Sequence, residues 1–363
     1  MNSLFLHFKR FDCILIVSAL LLVSIGFISL YSSSVGSGSF LNFQKQAIFF
    51  LLALFLMIFF SFLDWRIFRE DSRLILFLYF ISCFALAGLF WLAPEIRGIK
   101  SWYKLGPLSI DPIEFTKIVL IILLAKYFSM RHIEMYKVRH IILSGFYVFL
   151  PAFLIFFQPD LGSVLILIAL WVGILIISGI QVRHFLILVL CFLLVLIFGW
   201  NTLLKDYQKD RILNFFTPQL EPLGSGWNQA QSKIAIGSGG IFGQGFIKGS
   251  QTQYGFLPES QTDFIFAAIA EEFGLIGVSI LLILFLVLIW RIIKIAIDSK
   301  SNFPRLFASS FSIILISQIF IHIGMNIGIL PIIGISLPLV SYGGSSLIST
   351  FIALGILQSI KTH

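Results

Sequence analysis

The sequence predicts an all-α polytopic integral membrane protein of about ten transmembrane helices. Three observations carry that prediction. Hydrophobic residues make up 58% of the 363-residue chain and charged residues only 12%, against about 25% charged in an ordinary soluble protein. The apolar residues fall into ten runs, each near the roughly 20 residues that cross a bilayer as a helix. Lys and Arg gather in alternate connections, as the positive-inside rule requires.

The first run, 12–31, follows Lys9 and Arg10. It is longer than a signal-peptide core and lacks a small-residue cleavage site, so it reads as a retained helix. Runs at 43–63 and 74–93 come next. The fourth, 112–129, opens on Pro112, which suits a first helical turn. The fifth and sixth, 140–157 and 161–179, are separated only by Q-P-D-L-G at Gln158 to Gly162. The seventh is 184–203. The eighth, 263–290, follows the helix breaker Pro258, with Ser260 or Thr262 available as its cap. The ninth is 306–327. The tenth, 338–360, carries S-Y-G-G-S-S at Ser341 to Ser346, small polar residues that permit close helix contact.

With the N-terminus in the cytoplasm, the inner face receives Lys9, Arg10, Arg66, Arg69, Arg73, Lys126, Arg131, Lys137, Arg139, Arg183, Arg291, Lys294, Lys300, Arg305 and Lys361. These are fifteen of the 25 Lys and Arg. The even span count returns the C-terminus to the same side. The net charge of +8 is mostly this topology signal; no basic stripe interleaved with aromatics points to nucleic acid. Cys13, Cys83 and Cys191 lie in apolar runs, with neither disulfide nor metal spacing. The chain reads as one membrane domain, 1–363. Within it a long extracytoplasmic loop, 201–262, joins the seventh and eighth helices. Trp227, Phe242, Phe246, Tyr254 and Phe256 in that loop predict an ordered segment that dips into the membrane interface.

Carboxylates in the eighth segment are the oddest feature, because a charge in hydrocarbon costs about 2.5–3.5 kcal/mol or more. Asp263, at the outer end, either complements the helix dipole or serves as a general base at the membrane boundary. Glu271 and Glu272 lie about 12–13 Å deeper and point about 100° apart. Pairing with buried cations or backbone accounts for them, or else a polar cavity lined from several helices. Glu114 and Lys117 share a helix face, as a self-neutralising pair or with Lys117 turned to an anion. Lys100, Lys104 and Arg97 sit just outside, and Trp102 marks the interface. Asp160 is a cap for the sixth helix or a further cavity carboxylate. Lys209 and Arg211 add external cations. The glycines from Gly237 to Gly245 match no nucleotide loop and allow tight turns or close approach to a lipid headgroup. His322 and Asn326 share a face of the ninth helix and read as packing residues. These ionisable groups gather toward the outer half. That placement favours work on an anionic, lipid-anchored substrate over a proton-driven transporter, whose charges belong near the midplane.

The motifs together resemble the SEDS family (shape, elongation, division and sporulation) of membrane glycosyltransferases. Matching segments are K-S-W-Y-K-L-G-P at Lys100, P-I-E-F-T-K at Pro112, Q-P-D-L-G at Gln158, Y-Q-K-D-R-I at Tyr207 and G-S-G-G-I-F-G-Q-G at Gly237. F-L-P-E-S-Q-T-D-F-I-F at Phe256 and L-P-L-V-S-Y-G-G-S-S at Leu337 complete the set. They run in order over almost the whole chain, and the residues just before the last two motifs are more like the elongation branch than the division branch. The resemblance implies polymerisation of lipid II into glycan at the outer face of the cytoplasmic membrane, with release of undecaprenyl pyrophosphate. It implies Asp263 as the essential acid and base, and Trp102, Lys117, Glu114, Lys100, Arg211 and Asp160 as substrate-binding residues. A pyrophosphate leaving group calls for side-chain cations or a metal, so a divalent cation, Mg or Mn, is the one cofactor this chemistry invites. The implied partners are a class B penicillin-binding protein, other elongation-complex membrane proteins and membrane lipid. A lipid II flippase and a non-enzymatic scaffold are the alternatives. The first needs a two-sided pathway, and the second needs no ionisable cavity.

Overall fold

The computed structural model describes residues 10–94, 101–106, 108–130, 138–202, 209 and 225–362. All ten apolar runs are helical. They are α1 (Cys13–Ser37), α2 (Leu41–Phe62), α4 (Ser72–Leu92), α5 (Pro112–Ser129), α6 (Val138–Phe157), α7 (Leu161–Ile177), α8 (Val182–Thr202), α11 (Ile265–Asp298), α12 (Asn302–Ile327) and α13 (Gly344–Thr362). Short helices α3 (Arg66–Glu70), α9 (Ser225–Gly239) and α10 (Ser250–Gln253) join them among the described residues. Eight of the ten long helices are long and apolar enough to cross a membrane. The other two differ for plain reasons: α7 has 17 residues, and α5 carries Glu114, Lys117 and Lys126 within its 18.

Aspartates start four of these helices. The carboxylates of Asp12, Asp71, Asp111 and Asp160 accept from the backbone N–H groups of Leu15, of Arg73 and Leu74, of Ile113 and of Ser163. Each satisfies amides that have no partner within the helix. Pro112 occupies the first turn of α5 as expected. The expected caps Ser260 and Thr262 do not act; α11 begins at Ile265 without a side-chain cap. Thr262 instead bonds back to Glu259. Helix α13 starts at Gly344, six residues later than read, because Leu337 to Gly343 form turns that serve the site below.

The fold is not purely helical. Strands β1 (Tyr103–Leu105) and β2 (Leu108–Ile110) form an antiparallel hairpin with Tyr103 opposite Ile110. Gly106 turns it at φ +63, and the Tyr103 hydroxyl ties it to α4 by donating to the Ala85 carbonyl at 2.6 Å.

Helix α13 is the hub, with 83% of its span buried, and it packs along α2 and against α5. Helix α11 packs on α1 and α12, and α12 on α5 and α7. By contrast, only 6% of the α8 span is buried, so its apolar surface faces outward. At the basic end, Asp12 joins three helices. It accepts from the Arg291 guanidinium, at 3.0 Å from Nε, and from Lys361 Nζ at 2.7 Å. Burial works against the Asp12 anion, but those hydrogen bonds outweigh it and hold its carboxyl below the usual value.

The described part of the long loop, 225–262, is ordered. Helix α9 packs on α11 and α12, while Phe242 and Tyr254 stand 80% and 76% exposed. The positive-inside rule predicts that loop and the Arg291–Arg305 connection on opposite sides. In a cysteine-free background, Tyr254→Cys on intact protoplasts is expected to react with a membrane-impermeant thiol reagent, and Arg305→Cys only after lysis. The opposite pattern inverts the topology. The cysteine-free background is needed because Cys13 and Cys191 are exposed on the helix surfaces.

Candidate active site

Asp263 sits on a turn two residues before α11, half-buried, with its Oδ2 near Gly334. The turn is held from four directions. Asn326 of α12 donates from Nδ2 to the Asp263 carbonyl at 2.9 Å, and its Oδ1 accepts from the Ala267 N–H at 3.3 Å. The Ser341 hydroxyl donates to the Thr262 carbonyl at 2.7 Å, and the Tyr342 N–H to the Gln261 carbonyl at 2.8 Å. Asn42 of α2 donates to Gln261 Oε1 at 2.7 Å. Gln46, also on α2, clasps the Ser341–Gly343 turn by accepting from the Gly343 N–H and donating to the Ser341 carbonyl. His322 Nδ1 meets the Ile335 carbonyl at 2.7 Å and fixes the strand of chain that passes Gly334.

Asn326 therefore holds the Asp263 turn and His322 the segment beside it, roles that a reading as packing residues does not include. Their i, i+4 spacing in an apolar helix was the available signal; the backbone that Asn326 meets lies 63 residues away and that of His322 lies 13 away across an irregular stretch, so neither leaves a local trace.

A second polar group lies around α5. Lys117 Nζ meets Glu114 Oε1 at 2.8 Å, with side chains only 3% and 14% exposed, so the self-neutralising pair forms in a dry setting. Asp111 and Asp160 are within electrostatic range of both. Burial pushes the Asp111 carboxyl well above the ordinary value, and Glu114 adds to the rise. Burial raises Asp160 as well, opposed by hydrogen bonds from Ser163, whose hydroxyl lies 2.6 Å away. Asp160 thus caps α7 and also adds to the acid cluster around Lys117. Trp102 is half-buried beside the hairpin. Lys100 and Arg211 lie outside the described residues.

One motif joins the two groups. Ser341 and Tyr342 bind the Asp263 turn, while Ser345 accepts from the Asp111 N–H at 2.8 Å and Ser349 reaches Glu114 at 3.4 Å. The stretch from Leu337 to Ser349 therefore sets the position of the base candidate relative to the Lys117 cluster.

Glu271 and Glu272 are 0% and 2% exposed and serve neither group. Glu271 accepts from the Gln251 N–H at 2.6 Å, the Thr252 N–H at 3.0 Å and the Thr252 hydroxyl at 2.7 Å, which caps α10. Glu272 faces α1 and accepts from the Ser32 hydroxyl and from Gln253. The reading as structural pairing with backbone holds for Glu271. Among the described residues, no three or more His, Cys, Asp or Glu side chains converge as a metal ion needs. The divalent cation invited by the leaving group finds no ready ligand set among them.

Comparison with known proteins agrees with this arrangement. The chain matches the family of FtsW/RodA/SpoVE cell cycle proteins over residues 12–363. It is 39% identical over 290 residues to the peptidoglycan glycosyltransferase MrdB of Escherichia coli K12, covering 79% of this chain and 77% of that one. A chain solved in a study of how a peptidoglycan synthase complex coordinates polymerization and crosslinking superposes with a TM-score of 0.82 at 30% identity, with 97% of each chain covered. The rod shape determining protein RodA of Thermus thermophilus superposes at 0.71 with 28% identity, over 97% of this chain and 96% of that one. With ten apolar helices, the site motifs in order and a family match over nearly its whole length, the chain is a multi-pass membrane protein that belongs to the FtsW/RodA/SpoVE (SEDS) family.

Proposed function

We propose that the protein is a peptidoglycan glycosyltransferase of cell elongation, which joins the disaccharide units of lipid II at the outer face of the cytoplasmic membrane. The observation that carries this reading is the Asp263 turn. A half-open carboxylate on a turn held by Asn326, Ser341, Tyr342 and Asn42 is what a positioned base requires. A sugar hydroxyl is a weak nucleophile. Asp263 accepts its proton as the new glycosidic bond forms and the bond to undecaprenyl pyrophosphate breaks. Lys117, paired with Glu114, offers an N–H donor in a dry environment where developing oxyanion charge is felt strongly. Burial works against the charged forms of Asp111 and Asp160, a direction that limits repulsion of the anionic substrate. The deep Glu271 and Glu272 are absorbed by capping and helix contacts. That favours one-sided chemistry over a flippase pathway. A crosslinking class B penicillin-binding protein fits as partner, in line with the fold's likeness to a chain from a peptidoglycan synthase complex that coordinates polymerization and crosslinking.

Purified protein incubated with lipid II and this partner is expected to give glycan polymer on a gel; absence of polymer with every transpeptidase tried defeats the reading. Within that assay, Lys117→Met with Glu114→Gln removes the cation without leaving a lone buried charge. About 10–100-fold lower kcat/KM is expected, the size of one charged hydrogen bond. Arg305→Ala, an exposed residue of the opposite basic face, is expected to change little. Equal effects of the two argue against an anion contact at Lys117.

A further inference from the structure

A cavity lies at the far end of α11 from Asp263, on the opposite side of the helix bundle. It holds about 490 Å³ at the basic end of the helices, where Asp12 joins α1, α11 and α13. Six cations line it: Arg66 and Arg69 from α3, Arg291 and Lys294 from α11, Lys300 from the following connection and Lys361 from α13. Only Asp12 and Asp298 oppose them on its wall. Asp12 is already shared by Arg291 and Lys361. Arg66 has a loose pair with Asp64 at 3.8 Å. Arg69, Lys294 and Lys300 have no carboxylate within ion-pair distance among the described residues.

Topology alone accounts for the sign of these charges but not for their convergence. The positive-inside rule is satisfied by cations spread over short loops. Here they come from four separate elements to one concavity, where like charges repel in the absence of an anion. The cavity also has an interfacial character. Ile295, Pro304 and Ile360 supply apolar wall. Trp290 lies beneath Arg291 and Lys294, at 5.5 and 5.8 Å from its ring. Trp65, 7% exposed and stacked on Phe303, lines the wall with an indole N–H that has no acceptor among the described residues. Mixed cationic, aromatic and apolar lining at the ends of membrane helices suits a phosphate carried at the bilayer surface, and the volume lies in the range of small-ligand sites.

We propose that this cavity is a binding site for a phosphate ester, presented by the headgroup of an anionic lipid in the cytoplasmic leaflet. The full-length protein, purified in neutral detergent, is titrated while its melting temperature is followed. Dioctanoyl phosphatidylglycerol is expected to raise it saturably, and dioctanoyl phosphatidylcholine is not. The triple variant Arg69→Gln, Lys294→Gln, Lys300→Gln spares the Asp12 network, so it keeps the fold. It is expected to respond about 100-fold more weakly, at roughly a factor of five per surface cation. Lys300→Gln alone is expected to fall between. A response to glycerol 1-phosphate at similar concentration assigns the phosphate to a soluble source, and its failure assigns it to lipid; both uphold a phosphate site. Equal response of wild type and triple variant overturns the proposal. So does equal potency of the two lipids, or binding of a Glu-rich peptide but of no phosphate compound.

Discussion

Asp263→Asn is expected to abolish glycan polymerisation while leaving the folded protein and its lipid II binding intact. The substitution keeps the side chain's size and removes only the capacity to take up a proton. The contacts that hold the turn come to backbone atoms, the carbonyls of Asp263, Thr262 and Gln261, and to the Gln261 side chain. These contacts do not use the charge of Asp263, so the turn is expected to keep its fold in the variant. General base catalysis contributes about 10²–10⁴-fold, which sets the expected loss of rate. Asn326→Ala removes the clasp from Asn326 and leaves the carboxylate, so a smaller loss is expected, expressed in kcat more than in KM. Wild-type polymer from Asp263→Asn would remove Asp263 from the role of base. A variant that neither polymerises nor folds would place Asp263 in structure rather than chemistry, and the melting curve separates the two.

The membrane helices were legible because each carries its own evidence. A run such as Leu281 to Ile289 is apolar on every face, and no tertiary context is needed to read it. Helix starts were half legible. Pro112 and Asp160 announced α5 and α7 through local chemistry, whereas Ser260 and Thr262 had the right chemistry in the wrong place. The register there is set by the Ser341 and Tyr342 contacts to that turn, and those come from eighty residues away. The β1–β2 hairpin escaped because three-residue strands leave no periodicity to read.

Asp263 stood out because a carboxylate at a membrane boundary is costly wherever it points. The residues that hold it did not stand out. Asn326 in an apolar helix looks the same whether it packs, bonds its own helix or reaches a distant turn. Glu271 and Glu272 gave the converse difficulty: their cost was plain and their relief was not. Four polar residues, Ser250 to Gln253, form a single helical turn whose amides Glu271 caps. Nothing in that short stretch predicts a helix by itself.

Gly243→Ala is expected to cause the largest loss of stability, because the glycine run seals a break in α11. At Gly274 the helix departs from helical geometry, with φ 63 and ψ −161, and the amides and carbonyls there lose their partners along the helix. An unpaired backbone group at membrane depth costs several kcal/mol. The run 239–245 supplies the partners. Gln244 N–H donates to the Glu271 carbonyl at 2.9 Å and Gly245 N–H to the Glu272 carbonyl at 3.1 Å. In return, Leu275 N–H donates to the Gly240 carbonyl at 2.9 Å and Ile276 N–H to the Ile241 carbonyl at 3.2 Å. The approach needed for this is to protein backbone, where the sequence had suggested a lipid headgroup as one alternative. Gly243 has φ +80, and a Cβ there would overlap the Glu272 carbonyl oxygen. Gly240 has φ +53 with open space around its missing Cβ, which makes it the control. Alanine at Gly240 carries only the left-handed penalty, about 1–2 kcal/mol. Alanine at Gly243 carries that penalty and also pushes apart hydrogen bonds that water cannot replace, about 3 kcal/mol or more in all. In detergent, Gly240→Ala should melt a few degrees below wild type, and Gly243→Ala should yield little folded protein. Identical melting of the two variants would show that the run does not hold the break, since only crowding against α11 distinguishes them.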